Sequence, residues 1–190
     1  MKKKKILVTG SGGTVGLYVA SVFSKDKLFL TTKQNLDITD KKSVFQVFEE
    51  IRPDVVIHLA AKTNVDDCEE NSREAYLINA LGTQNIAEAC KKNHVTIVYI
   101  SSLAVFNGEK EYFTEEDKPK PVNVYGKTKL LGEKAIQKLV KNHIIIRTGW
   151  IVGGGMKEKK FISYILQQAK QGKKEIRVVN DKFGTIAYAK

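Results

Sequence analysis

Ile6-Leu7-Val8-Thr9-Gly10-Ser11-Gly12-Gly13-Thr14-Val15-Gly16 is the stretch that decides the fold. Its first four residues are apolar or β-branched and read as a short buried strand. Four glycines then fall within seven residues, and Val15–Phe23 continues as an amphipathic helix. The glycines at 10, 13 and 16 give a GxxGxxG spacing, not GxGxxG. Such a turn bends tightly, offers backbone without Cβ where a diphosphate must approach, and lets helix and strand pack closely. The helix start adds unpaired N–H groups and partial positive charge. A purely structural turn accounts for one or two glycines, not four. Gly10, Ser11, Gly12, Gly13, Thr14, Val15 and Gly16 are therefore expected to cradle a dinucleotide.

Outward from that junction, short apolar runs alternate with longer amphipathic ones, as in successive βαβ units on a parallel sheet. Leu28–Thr31, Val55–His58, Val95–Ser101 and His143–Arg147 read as further strands, and Glu175–Val179 as a last one. Helices are expected after Asp40, which caps the first of them, from about Arg73 to Lys92, over Asn123–Lys141 and over Phe161–Ala169. The strand at 55–58 is continuously apolar, as expected when both faces are covered. Right-handed crossovers then give an α/β fold with a doubly wound parallel sheet of Rossmann type. Residues 1–152 form the dinucleotide-binding domain, and 153–190, which include Gly153-Gly154-Gly155, the start of a small substrate-binding part.

Composition narrows the classes. At 190 residues with 42% hydrophobic and 28% charged side chains, the chain suits one globular domain plus a fragment, with no need of a disulfide or metal staple. No run approaches a membrane span, and the apolar run after the basic N-terminus is too short for a signal peptide, so a cytoplasmic protein is expected. Cys68 and Cys90 lack metal spacing and read as reduced thiols. The net charge of +11 rests on 28 Lys and 4 Arg, scattered apart from Lys2–Lys5 and Lys157–Lys160. Without Arg forks and stacking aromatics this favours solubility and anionic ligands over nucleic acid. No metal site is expected, and a homodimer is.

Where a ribose-binding acid belongs, at the end of the second strand, the chain reads Thr31-Thr32-Lys33-Gln34. Lys33 can neutralise a 2′-phosphate, which points to NADPH, with NADH also usable. Further on, Tyr125 and Lys129 form a Tyr-x-x-x-Lys pair that shares a helical face. With 28 Lys and seven Tyr in 190 residues, one such pair is expected by chance and one is found. Its weight comes from context, because the pair opens the helix after the strand ending in Ser101-Ser102, and ligands bind at carboxyl ends of strands.

These residues resemble the extended short-chain dehydrogenase/reductases that act on nucleotide sugars, and among them the dTDP-4-dehydrorhamnose reductases. The resemblance rests on the Thr9–Gly16 turn, His58-Leu59-Ala60-Ala61, Asn79 in Asn-Ala-Leu-Gly-Thr, the serine pair and Tyr125/Lys129. It extends to Leu36–Asp40, Pro53–Ile57, Ala60–Asp66, Arg147–Trp150 and Asp181–Thr185. It implies hydride reduction of the 4-keto group of a dTDP-4-keto-6-deoxyhexose in dTDP-rhamnose biosynthesis. Tyr125 is then the general acid. At about 5 Å and an effective dielectric of about 20, Lys129 is expected to favour the phenolate by roughly 3 kcal/mol. Ser102 orients the substrate carbonyl, with Ser101 beside it. The resemblance also sets Asp37 and Ile38 along the adenine, Ala60, Ala61, Lys62 and Asn79 near the cofactor, and Trp150 against the sugar.

Read without the family, Asn79 bridges backbone groups within its helix, His58 is a satisfied core histidine, and Asp66–Glu70 is a solvated loop and helix start. Two departures stand out. Leu103-Ala104 replaces the Asp-Tyr that these reductases place after the serine pair, as in a sugar epimerase. The chain also stops where the family continues into a helical cover over the sugar nucleotide. Epimerase or dehydratase chemistry, and a non-catalytic regulatory protein that keeps the dinucleotide fold, are the alternatives.

Overall fold

The computed structural model describes residues 3–153, 161–178, 180–181 and 184–190. Five parallel strands form one sheet: β1 (Lys5–Thr9), β2 (Lys27–Thr31), β3 (Val55–His58), β4 (Thr96–Ser102) and β5 (His143–Thr148). Their order is β2-β1-β3-β4-β5, so strand order reverses between β1 and β3. A ligand cleft is expected above the carboxyl ends at that reversal.

Alternation along the strands divides two apolar layers. Leu7, Val56, Ile97 and Tyr99 face α2 (Lys41–Ile51), α5 (Thr83–Asn93) and α6 (Val124–Leu139), and pack with Val44, Phe48, Ile86, Ala87 and Ile136. Ile6, Val8 and Ile57 face the other way and meet Val19 of α1 (Gly16–Val22). On that second face Ile144 and Ile146 of β5 stay exposed. Asp40 caps α2 by accepting from the Lys42 amide at 2.9 Å, as its position in the sequence leads one to expect.

Three expectations need correction. The helix from 73 to 92 is three pieces, α4 (Ser72–Ala75), a π-helical turn (Tyr76–Gly82) and α5. The acidic run 66–70 is a helix, α3 (Val65–Glu70), capped by Asn64. Residues 175–178 form no strand, and Val179 lies outside the described residues. A small sheet pairs β6 (Trp150–Val152) with β7 (Ile186–Tyr188) instead, on either side of α7 (Phe161–Lys170). Gly154, Gly155 and Lys157–Lys160 also lie outside the described residues. Among the described residues, no helix is long and apolar enough to cross a membrane.

Candidate active site

The glycine turn is pressed onto the end of β3. Gly10 has φ +70°, and a Cβ there would stand 2.6 Å from the Ala60 amide nitrogen. A Cβ on Gly16 would stand 2.3 Å from the Ser11 carbonyl oxygen. Neither position accepts a side chain, which leaves bare backbone above the β1–β3 reversal. Ser11 ties the turn to β2, its amide and its hydroxyl both donating to the Thr31 carbonyl at 2.9 and 3.1 Å. A side-chain-free cradle at this point in the sheet fits a dinucleotide diphosphate.

Beneath the cradle, neighbouring strands line up Thr9, His58 and Tyr99 in register. His58 sits between the Thr9 hydroxyl (2.6 Å) and the Thr83 hydroxyl (3.0 Å) and stacks on the Tyr99 ring at 5.4 Å. Burial, and then the charge of Lys129, push its imidazole down to about 3, so it stays neutral. It is the satisfied core histidine expected from the sequence.

Close packing brings the serine and the tyrosine together. Ser102 caps a 3₁₀ turn (Leu103–Val105), its hydroxyl oxygen accepting from the Ala104 amide at 3.1 Å. The first turn of α6 lies against that same turn, because Gly126 leaves room for the Ala104 carbonyl, which a Cβ would meet at 2.0 Å. Asn123 caps α6 onto the Gly126 amide at 2.7 Å. Tyr125, half-buried, therefore stands beside Ser102. Burial raises the phenol above its ordinary value and the Ser102 hydroxyl opposes that rise.

Lys129 departs from expectation. Its ammonium is buried, donates to the Ile100 carbonyl at 2.8 Å and rests on the face of Tyr99, 4.1 Å from the ring centroid. Burial pushes it down to about 7, against the pull of Glu133. The acidification of Tyr125 by Lys129 is not realised in this arrangement, since the phenol moves up, not down. Sharing a helical face fixes where the Cβ atoms lie, whereas the long lysine chain reaches the Ile100 carbonyl near the carboxyl end of β4.

The remaining expected residues divide. Ser101 is buried on the opposite strand face from Ser102, and its hydroxyl lacks a hydrogen-bond partner. Asn79 does bridge backbone groups, but across the molecule: it accepts from the Lys62 amide (2.8 Å), donates to the Lys62 carbonyl (2.9 Å) and donates to the Thr128 hydroxyl (3.1 Å). The Lys62 ammonium, in the loop after β3, is engaged by Asp67 (2.6 Å) and Glu74 (2.5 Å), so its charge is already partnered. Ile38 is a core residue against Gly82. Asp37 is held by Thr39, which keeps its carboxyl below the ordinary range; the exposed Lys33 adds a smaller pull. Trp150 lies half-exposed on β6, against Gly184.

Sequence reading missed the Asn79–Thr128 junction and the buried Glu133–Arg147 pair, with Nη2 to Oε2 at 2.7 Å. Glu133 continues the Tyr125/Lys129 spacing by another four residues, and that was the available signal. Cys68 and Cys90 are free and buried. Among the described residues, no cluster of His, Cys, Asp and Glu has the makings of a metal site.

Residues 4–190 match the RmlD substrate binding domain. The chain is 38% identical over 189 residues to the spore coat polysaccharide biosynthesis protein SpsK of Bacillus subtilis, covering 98% of this chain and 66% of that protein. It is 38% identical over 149 residues to the dTDP-4-dehydrorhamnose reductase of Escherichia coli, covering 78% of this chain and 49% of the reductase. A solved dTDP-4-dehydrorhamnose reductase from Bacillus anthracis, in complex with NADP, superposes with a TM-score of 0.85 at 34% identity, over 90% of this chain and 61% of that one. The chain thus spans between half and two-thirds of the length of these relatives.

Proposed function

Because the chain belongs to the RmlD substrate binding domain family, we propose that it reduces the 4-keto group of a dTDP-4-keto-6-deoxyhexose with NADPH. The observation that carries this reading is the placement of Ser102 and Tyr125 side by side at the carboxyl end of β4, on the same edge of the sheet as the bare glycine turn. Gly10–Gly16 would hold the diphosphate, with Lys33 toward a 2′-phosphate and Ala60–Lys62 lining the loop after β3. Bound there, the reduced nicotinamide supplies the hydride.

The chain's own groups supply the rest. Ser102 donates a hydrogen bond to the substrate carbonyl oxygen and fixes its orientation. Tyr125, kept protonated by its burial, gives up its proton as negative charge grows on that oxygen. Lys129, one turn further along α6, keeps its ammonium on the Ile100 carbonyl and the Tyr99 ring at the carboxyl end of β4, where it would hold the nicotinamide ribose rather than acidify Tyr125. Residues 153–190 begin the part that meets the sugar, with Trp150 at its edge. Two buried, free cysteines accord with a reducing cytoplasm.

Leu103 and Ala104 favour a second reading, since neither offers a polar side chain to a sugar. An epimerase or dehydratase uses its nicotinamide without net consumption, so stoichiometry separates the two. Mixed with a dTDP-4-keto-6-deoxyhexose, the reductase oxidises one NADPH per sugar, followed at the absorbance of the reduced nicotinamide. Sugar turnover without loss of NADPH would replace the reductase by the epimerase reading, and absence of any turnover would reject both.

A further inference from the structure

Three ionisable side chains, Lys129 and Glu133 of α6 and Arg147 of β5, lie where that helix packs on the sheet. Lys129 is 2% exposed and Glu133 fully buried, four residues apart on one face of α6. Glu133 accepts from Arg147 of β5 through Nε at 3.0 Å and Nη2 at 2.7 Å. The Arg147 guanidinium in turn stands 5.0 Å from the Phe106 ring centroid. The ammonium at the other end touches neutral groups, the Ile100 carbonyl and the Tyr99 ring. Of the titratable groups around it, His58 is neutral and stacked behind Tyr99, and the phenols of Tyr99 and Tyr125 are held protonated by burial. Glu133 is the carboxylate whose charge reaches Lys129.

A buried ammonium is costly without an opposite charge, and a buried carboxylate equally so. We propose that Glu133, oriented by the fork of Arg147, is a positioning residue that favours the charged form of Lys129 in its seat between the Ile100 carbonyl and the Tyr99 ring. Arg147 has two effects in this arrangement. It fixes the carboxylate by paired hydrogen bonds, and it offsets part of the negative field that Lys129 feels. Removing the two partners therefore has opposite consequences at the lysine. With Glu133→Gln, the amide oxygen can still accept from Arg147 while the charge is gone, so the ammonium becomes harder to keep. With Arg147→Gln, the carboxylate acts on Lys129 without opposition, and the ammonium becomes easier to keep. Simple damage to packing admits water and moves both variants toward ordinary lysine behaviour.

The role assigned here rests on the reductase reading, but its central measurement does not. Lysine labelled with ¹³C at Cε reports each ammonium by NMR, and the Lys129 signal is identified by its loss in Lys129→Arg. The expected result is a Lys129 titration lowered by about one pH unit or more in E133Q, and raised in R147Q. The pH profile of NADPH oxidation should move with it in E133Q. Shifts of the same sign in both variants, or none in either, overturn the proposal, whatever the loss of stability. Should E133Q fail to fold, R147K, which keeps the cation but not the fork, stands beside R147Q: the Lys129 titration should rise in R147Q and stay near wild type in R147K, and a rise in both, or none in R147Q, overturns the proposal. Opposite shifts in the two variants, together with a wild type that lacks reductase activity, would reject the reductase reading and leave the Glu133 role standing.

Discussion

Burying Lys129 leaves a signature that pH can read. Its folded value of about 7 lies below the ordinary 10.5, so between those limits the unfolded chain holds a proton that the folded chain has released. Stability must then rise with pH across that window, by up to about 1.4 kcal/mol per pH unit from this group, and the penalty is present in full below it. Urea denaturation of wild type and Lys129→Met should show the wild type gaining on the variant from pH 7 to pH 10; a constant difference would contradict the burial. Tyr125 makes a different prediction. Tyr125→Phe keeps the ring and removes the proton donor, so kcat should fall by about 10²–10⁴ with NADPH affinity unchanged. A variant that retains wild-type kcat would remove Tyr125 from the chemistry. Ser102, Tyr125 and Lys129 were all legible as residue types at meaningful positions. What the sequence could not convey was where the flexible end of Lys129 goes, because four methylenes allow both Tyr125 and the Ile100 carbonyl, and the ring of Tyr99 was the unseen attraction.

At the scale of elements, α6 owes its position to one missing methyl group. Ala at 126 would place a carbon 2.0 Å from the Ala104 carbonyl and lever the helix away from the 3₁₀ turn that carries Ser102. Gly126→Ala should cut kcat at least about tenfold through misplacement of Tyr125, with the affinity for NADPH little changed; turnover and dinucleotide titrations check this, and an unaltered kcat would contradict the packing argument. The five long strands were readable because each is a short apolar run closed by turn residues. The π turn at Tyr76–Gly82 was not, since a widened turn leaves the spacing of apolar residues much as in an α-helix, and Asn79 therefore looked local while it reaches Lys62 and Thr128. β6 and β7 escaped notice for another reason. Each has three residues, Trp150, Ile186 and Tyr188 among them exposed, so no buried pattern marks them.

Across the whole molecule, the order β2-β1-β3-β4-β5 puts the glycine turn at the strand reversal and the Ser102–Tyr125 pair two strands away, on the same edge of the sheet. The five-stranded sheet is covered on one face by α2, α5 and α6, while the other face leaves Ile144 and Ile146 open, and α7 exposes Phe161, Ile162, Tyr164 and Leu166. Fold class and the course of the sheet followed from the first strand–turn–helix junction. The packing of the described residues beyond Gly153 did not, because their apolar side chains lie exposed or half-exposed and are not gathered into a core.

The account depends most on the glycine turn as a dinucleotide cradle, and thermal unfolding with NADPH tests it most directly. At a hundredfold excess over Kd, binding to the folded state contributes about 2.7 kcal/mol, or roughly 5–10 °C in Tm for a chain of this size. Wild type should show that rise, and Gly10→Ala, whose new Cβ would meet the Ala60 backbone at 2.6 Å, should show little or none relative to its own unliganded Tm. A wild type whose Tm ignores NADPH, or a Gly10→Ala variant protected equally well, would contradict it.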